Sequence, residues 1–210
     1  MTLQSWLIYL VLVFAATSTP GPAVLFIMTN TTLHGWKKSI FAALGNIVGL
    51  LIMGIIAVTG LGALLNTSEL IFNLVKYAGA AYLVYLGLKL FFQKGIDLNK
   101  MQGRFSPDVK SAKMIFIQAT GIALSNPKAI VFLTALLPQF LHIEQPLLPQ
   151  FSILIATLMI FSFVFLMFYA LLAHKAKFWL MQPHRIKMFG RVSGSVFVGF
   201  GALLATSSHR

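Results

Sequence analysis

Cysteine is absent from the 210 residues, which excludes disulfides, thiolate nucleophiles and sulfur-ligated metal sites. Charge is scarce as well: only 10% of the residues are charged, and only four are acidic. Hydrophobic residues make up 58% of the chain and mean hydropathy is +0.87, so a water-soluble domain would lack the polar surface to cover itself. The implied solvent is lipid. Six segments of about 20 residues, the length that crosses a bilayer, would use up most of the chain and leave little for a soluble catalytic domain.

What charge there is has one sign. Sixteen Lys and Arg against four Asp and Glu give a formal charge of +12. A basic surface can mark a nucleic-acid partner, but most of these residues sit in connections between apolar runs, where lipid headgroups and topology explain them, and no nucleic-acid partner is expected.

The apolar runs extend from Trp6 to Met28, Ile40 to Leu65, Ile71 to Phe92, Met114 to Phe140, Phe151 to Ala173 and Met188 to Thr206. Hydrocarbon offers no water to a free amide, so each run is expected to be a helix. The first is expected to be a retained span and not a cleaved signal, because no Lys or Arg precedes Lys37 and no small-residue cleavage site ends it cleanly. Lys37 and Lys38 lie in the first connection, Lys94, Lys100, Arg104, Lys110 and Lys113 in the third, and Lys175, Lys177, Arg185 and Lys187 in the fifth. The second and fourth carry Glu69 and Glu144 and no Lys or Arg. The positive-inside rule puts the basic loops in the cytoplasm and both termini outside. The expected fold is therefore an all-α membrane protein of about six transmembrane helices.

The only long polar connection divides the chain into an expected repeat at 1–92, a basic linker at 93–113 expected in the cytoplasm and a second repeat at 114–210, all within one domain. Thr19-Pro20-Gly21-Pro22-Ala23-Val24-Leu25-Phe26 aligns without gaps with Ser125-Asn126-Pro127-Lys128-Ala129-Ile130-Val131-Phe132. Lys76, Gly79, Tyr82 and Tyr85 match Arg191, Gly194, Phe197 and Phe200 at the same spacing. Three helices per repeat is an odd number, so the repeats are expected to be inverted, an architecture of many secondary transporters.

Chemistry is expected where the apolar runs are interrupted. Pro20, Gly21 and Pro22 fall inside the first run and Asn126 and Pro127 inside the fourth, and proline removes a backbone donor and clashes with the preceding turn. Helices 1 and 4 are thus expected to be broken at these points. Lys128 places an ammonium about halfway along a 27-residue apolar stretch, where a charge is costly unless it is paired, hydrated or facing a cavity. Broken helices expose amides at half-helix N-termini and carbonyls at C-terminal ends. Together with Lys128 these could hold the two charges of a zwitterion. No Asp or Glu lies inside a run, which favours a substrate with a neutral side chain.

Other residues are ambiguous. Gly45 and Gly49, and Gly190 and Gly194, have the spacing of close helix packing, while Asn46 between the first pair is a candidate for lining a pathway. Tyr77, Tyr82 and Tyr85 suit packing or an interface, with Tyr82 kept as a candidate ligand contact. The histidines 34, 142, 174, 184 and 209 lie at run ends or in loops without metal-ligand spacing. No metal or cofactor is expected. Ser125 and Lys128 have the types of a nucleophilic dyad, but the intervening proline disrupts their shared face, and no enzymatic activity is expected. The candidate substrate-binding residues are Pro20, Gly21, Pro22, Asn46, Tyr82, Asn126, Pro127 and Lys128.

The Pro20-Gly21-Pro22 break, the run Lys76-Tyr77-Ala78-Gly79-Ala80-Ala81-Tyr82-Leu83 with Leu86-Gly87, and Asn126-Pro127-Lys128-Ala129-Ile130-Val131-Phe132 ending in Pro138-Gln139-Phe140 resemble the lysine-exporter (LysE) superfamily. Within it they resemble the homoserine/threonine resistance (RhtB) branch of amino-acid efflux proteins. The resemblance covers essentially the whole chain. It implies export of small amino acids or their derivatives across a bacterial inner membrane, driven by the proton gradient; homo-oligomerisation is left open. One departure bears on coupling. Many members of the superfamily carry an aspartate after a glycine in the second span and a polar residue after the proline pair, whereas here Leu50 follows Gly49 and Ala23 follows Pro22. Lys128 or a proton-bearing substrate is left as the proton carrier. A passive channel or a membrane scaffold is the alternative reading.

Overall fold

A computed structural model describes residues 2–65, 74, 77–78, 80–81, 84–85, 87–89, 91–92, 111–142, 144–175 and 183–206, and among them no strand occurs. Helix α1 (Leu3–Ser18) begins where the Thr2 hydroxyl accepts from the Ser5 amide at 3.2 Å. It ends because residues before proline are pushed into extended backbone: Thr19 has φ −80° and ψ 124°, and Gly21 has φ −145° and ψ −170°. Helix α2 (Pro22–His34) then starts with Pro22 in its first turn, where a missing N–H costs nothing. The axes of α1 and α2 differ by 47°. Gly35 closes α2 with φ 86°, its backbone N–H donating to the Thr31 carbonyl at 2.9 Å, a left-handed cap that glycine adopts without strain.

Helix α3 (Trp36–Leu65) is followed by the third expected span, of which the described residues between 74 and 91 are helical. Helix α4 (Ala112–Leu124) is capped by the Ser111 hydroxyl. A break at Ser125 and Asn126 leads into the short α5 (Pro127–Val131), a π turn at Phe132–Leu136 and a 3-10 turn at Leu137–Phe140. The bend between α4 and the segment Pro127–Phe140 is 56°. Helices α6 (Leu147–Lys175) and α7 (Pro183–Thr206) complete the chain.

Both expected breaks are therefore present. Two described helices, over Trp36–Gly60 and Leu147–His174, are long and apolar enough to cross a membrane, and each bent pair counted as one span raises the number to four. Ten of the 22 residues of the third expected span, Lys76, Gly79 and Tyr82 among them, lie outside the described residues, as do Glu69 and linker residues 93–110.

Helix α3 is central, packed against α2, α4 and α6. Its glycines permit this. A Cβ on Gly45 would collide with the Phe116 carbonyl, and one on Gly49 would sit 2.6 Å from the Ala123 Cβ. The Thr120 hydroxyl donates across the same seam to the Gly45 carbonyl at 3.0 Å. Close backbone approach through small residues is how helices associate where hydrophobic collapse gives no drive. Gly87 and Gly194 make a second such contact between the third span and α7. Buried Tyr9 joins α1 to α6 by donating to the Leu154 carbonyl at 3.2 Å, and its ring stacks edge-on against Phe140 at 5.1 Å. The outward faces carry Leu7, Val11 and Phe14 on α1, Ile55 and Ile56 on α3, and Ile160, Val164 and Phe168 on α6, an apolar coat suited to lipid.

The seam between α3 and α4 predicts a contrast between two glycines of one helix. Gly49→Leu is expected to lose about 1–3 kcal/mol through overpacking, whereas Gly60→Leu, with nothing within 4 Å of its added Cβ, is expected to match wild type. Thermal unfolding of the detergent-purified variants checks this, and equal losses would contradict it.

Candidate functional site

Inside a helix each carbonyl accepts from the amide four residues on, and proline has no amide hydrogen. Pro20 therefore deprives Ala16 of its partner, and Pro22 deprives Ser18. Side chains from elsewhere in the fold satisfy both. The Lys128 ammonium donates to the Ala16 carbonyl at 2.8 Å and to the Thr19 carbonyl at 2.9 Å. The Tyr169 hydroxyl, from α6, donates to the Ser18 carbonyl at 2.7 Å. The Thr19 hydroxyl turns back onto the Ala15 carbonyl at 2.6 Å. The positive charge thus sits at the C-terminal end of α1, where the aligned peptide dipoles place partial negative charge.

Local chemistry aims Lys128 at this point. The Asn126 side-chain carbonyl caps α5 by accepting from the Lys128 amide at 3.1 Å, and Pro127 sets the first helical turn. Gly21 gives the ammonium room, since a Cβ there would lie 3.3 Å from Lys128 Nζ. An ammonium has three N–H donors. Two are engaged, and the third has no partner among the described residues. The cap fixes the orientation of the Asn126 amide, and its Nδ2 likewise has no partner there. Asn126 itself is buried.

Beside these groups lies a cavity of about 60 Å³, lined by Gly21, Asn126 and Lys128 from the two breaks and by Asn46 and Ser162 from α3 and α6, with Leu50, Phe132 and Leu158 among the apolar remainder. At about 10–15 Å³ per enclosed water, it has room for roughly four to six waters, the size of a small polar solute. The Asn46 amide donates to the Ser162 hydroxyl at 3.0 Å.

Of the candidates read from the sequence, Gly21, Asn46, Asn126 and Lys128 meet at this cavity. Pro20, Pro22 and Pro127 shape the backbone around it, and Tyr82 lies outside the described residues. No hydrogen bond joins Ser125 to Lys128 among the described residues; the ammonium is directed at α1. Ser162 and Tyr169 were not among the candidates. The two prolines announce that carbonyls of Ala16 and Ser18 need donors, but not which residue supplies them. Glu144 is the only described acid, exposed and distant in sequence from the cavity lining. Among the described residues no cluster of metal-ligating side chains occurs.

A family model described as LysE type translocator matches residues 14–208. A homoserine/homoserine lactone efflux protein of Salmonella typhimurium is 36% identical over 210 residues, covering all of both chains. A protein of the same description from Salmonella typhi is 35% identical over the same length, and the uncharacterized membrane protein YrhP of Bacillus subtilis is 30% identical over 204 residues, 95% of this chain and 97% of that one. No solved structure matches. With nearly the whole sequence matched, and with apolar helices broken at Pro20–Pro22 and at Asn126–Pro127, the chain belongs to the LysE type translocator family.

Proposed function

We propose that the chain is a secondary transporter that exports small neutral amino acids, homoserine or threonine among them, from the bacterial cytoplasm across the inner membrane. The observation that carries this is the Lys128 ammonium, held on the open carbonyls of one broken helix beside a small cavity bounded by both breaks. The full-length similarity to efflux proteins supports the substrate class.

The cavity suits a zwitterion at both ends. A substrate carboxylate meets the third Lys128 N–H and the Asn126 Nδ2, two donors without protein partners among the described residues. A substrate ammonium is suited to the carbonyls at the end of α1, which already hold a cation of the same kind. On this reading Lys128 and the substrate exchange partners: the carboxylate draws the lysine, and carbonyls so released take the substrate ammonium. Protonation of Lys128 is the means of coupling to a proton gradient, since a neutral amine holds the carbonyls less strongly than an ammonium does.

The membrane arrangement belongs to the same proposal: six spans in two inverted halves, 1–92 and 114–210 about the linker at 93–113, with basic loops in the cytoplasm. Supporting it, α2 and α5 each begin with a proline in the first turn after an extended residue, at bends of 47° and 56°. The helix starts pair Pro22 with Pro127 and Gly21 with Asn126, one residue off the gapless sequence alignment. Alternating access follows from rocking of one half against the other.

Two outcomes check the proposal. Cells or vesicles preloaded with labelled homoserine are expected to release it faster with the wild-type chain than with empty vector, in a manner that saturates and that a protonophore abolishes, while Lys128→Ala at equal membrane expression falls at least about tenfold. Release at the vector rate, for homoserine and for a panel of neutral amino acids, would contradict it; non-saturable release would favour a passive channel. Reporter fusions in the linker at 93–113 are expected to report a cytoplasmic position and fusions after Thr206 an external one. The reverse pattern would overturn the orientation.

A further inference from the structure

Serines and threonines in helices usually return their hydroxyl to a carbonyl three or four residues back. This chain follows that habit at Thr17, Thr31, Thr59, Thr120, Thr134 and Thr157. Ser162 does not. Buried at 7% exposure, it accepts from Asn46 and makes no bond to its own helix. Asn46, at 5% exposure, uses one amide hydrogen in that contact, and its Oδ1 has no partner among the described residues. The pair therefore keeps hydrogen-bonding capacity in reserve, and both residues line the cavity that holds Lys128. The conclusion does not depend on which way the amide is turned. With the nitrogen toward Ser162, an amide oxygen and a hydroxyl hydrogen are free; with the oxygen toward it, the amide hydrogens and the hydroxyl lone pairs are free. Either way one donor and one acceptor remain.

The rest of the lining from α3 and α6 is Leu50, Leu158 and Leu166, so the pair is the polar feature of an otherwise apolar surface. Lys128 and the broken-helix termini match the charges that every amino acid carries and cannot distinguish one side chain from another. Asn46 and Ser162 can.

We propose that Asn46 and Ser162 form the subsite that reads an oxygen on the substrate side chain, making the transporter selective for small hydroxylated amino acids over hydrocarbon analogues of similar size. A hydroxyl both donates and accepts, and satisfies the pair. A methyl group in the same place leaves buried polar groups without partners, and sites built to bond a substrate hydroxyl reject the analogue lacking it. This inference rests on the reading of the chain as an amino-acid exporter.

The test compares homoserine with L-2-aminobutyrate, which is homoserine without its hydroxyl, in reconstituted vesicles with the full chain as wild type, Ser162→Ala and Asn46→Val. Wild type is expected to favour homoserine in transport efficiency by roughly tenfold or more. Both variants are expected to bring the ratio to within about threefold, chiefly through loss of homoserine transport, and thermal unfolding at the wild-type temperature shows that they fold. Equal transport of the two substrates by wild type overturns the subsite while leaving the exporter reading intact, and a ratio unchanged in the variants does the same. Transport of neither substrate by wild type overturns the exporter reading and the subsite with it.

Discussion

Two prolines in an apolar helix create a demand that lipid cannot meet. The carbonyls of Ala16 and Ser18 lose their helical donors to Pro20 and Pro22, and hydrocarbon offers none to replace them. Lys128 has the opposite difficulty, a charge about halfway along an apolar run. Its ammonium on the Ala16 and Thr19 carbonyls meets both needs in one contact between residues more than a hundred positions apart. Tyr169 completes the arrangement at Ser18. Removing either side leaves a buried polar group unpaired, typically a larger effect than the net worth of the bond, so the end of α1, the start of α5 and the C-terminal part of α6 are bound to one another.

The remaining packing keeps that junction in place. Gly45 and Gly49 bring α4 against α3, which fixes where α4 ends and hence where Asn126 caps α5. The Tyr9 contacts hold α1 against α6 and the turn at Phe140. The cavity lies among these elements, beside a contact that is strong in total but built from separable bonds. On the proposed reading, an ammonium held by carbonyls can be exchanged for a substrate ammonium, which a permanently closed ion pair would not allow.

The breaks were legible in the sequence because proline acts through covalent geometry, independent of the fold. Lys128 was legible because a charge deep in an apolar run requires a reason. Asn46 was visible as a polar residue between two glycines, and those glycines proved to be a packing seam, as their spacing suggested. Ser162 and Tyr169 were not legible. A serine within Phe161-Ser162-Phe163 is unremarkable in a membrane helix, and what distinguishes it is a bond it fails to make to its own backbone together with a partner 116 residues away. The gapless alignment of the two Pro-containing stretches pairs Pro22 with Lys128, whereas α2 and α5 start at Pro22 and Pro127, a pairing that differs from it by one residue.

The absence of cysteine allows the central claim, that an ammonium at this position is what the site requires, to be tested chemically. Lys128→Cys removes the charge, and alkylation with 2-bromoethylamine rebuilds a side chain of nearly lysine length ending in an ammonium, at this residue alone. Homoserine efflux is expected to be lost in the variant, restored by 2-bromoethylamine and left unrestored by iodoethane, which adds bulk without charge. Equal recovery with both reagents, or full activity of the unmodified variant, would contradict the account.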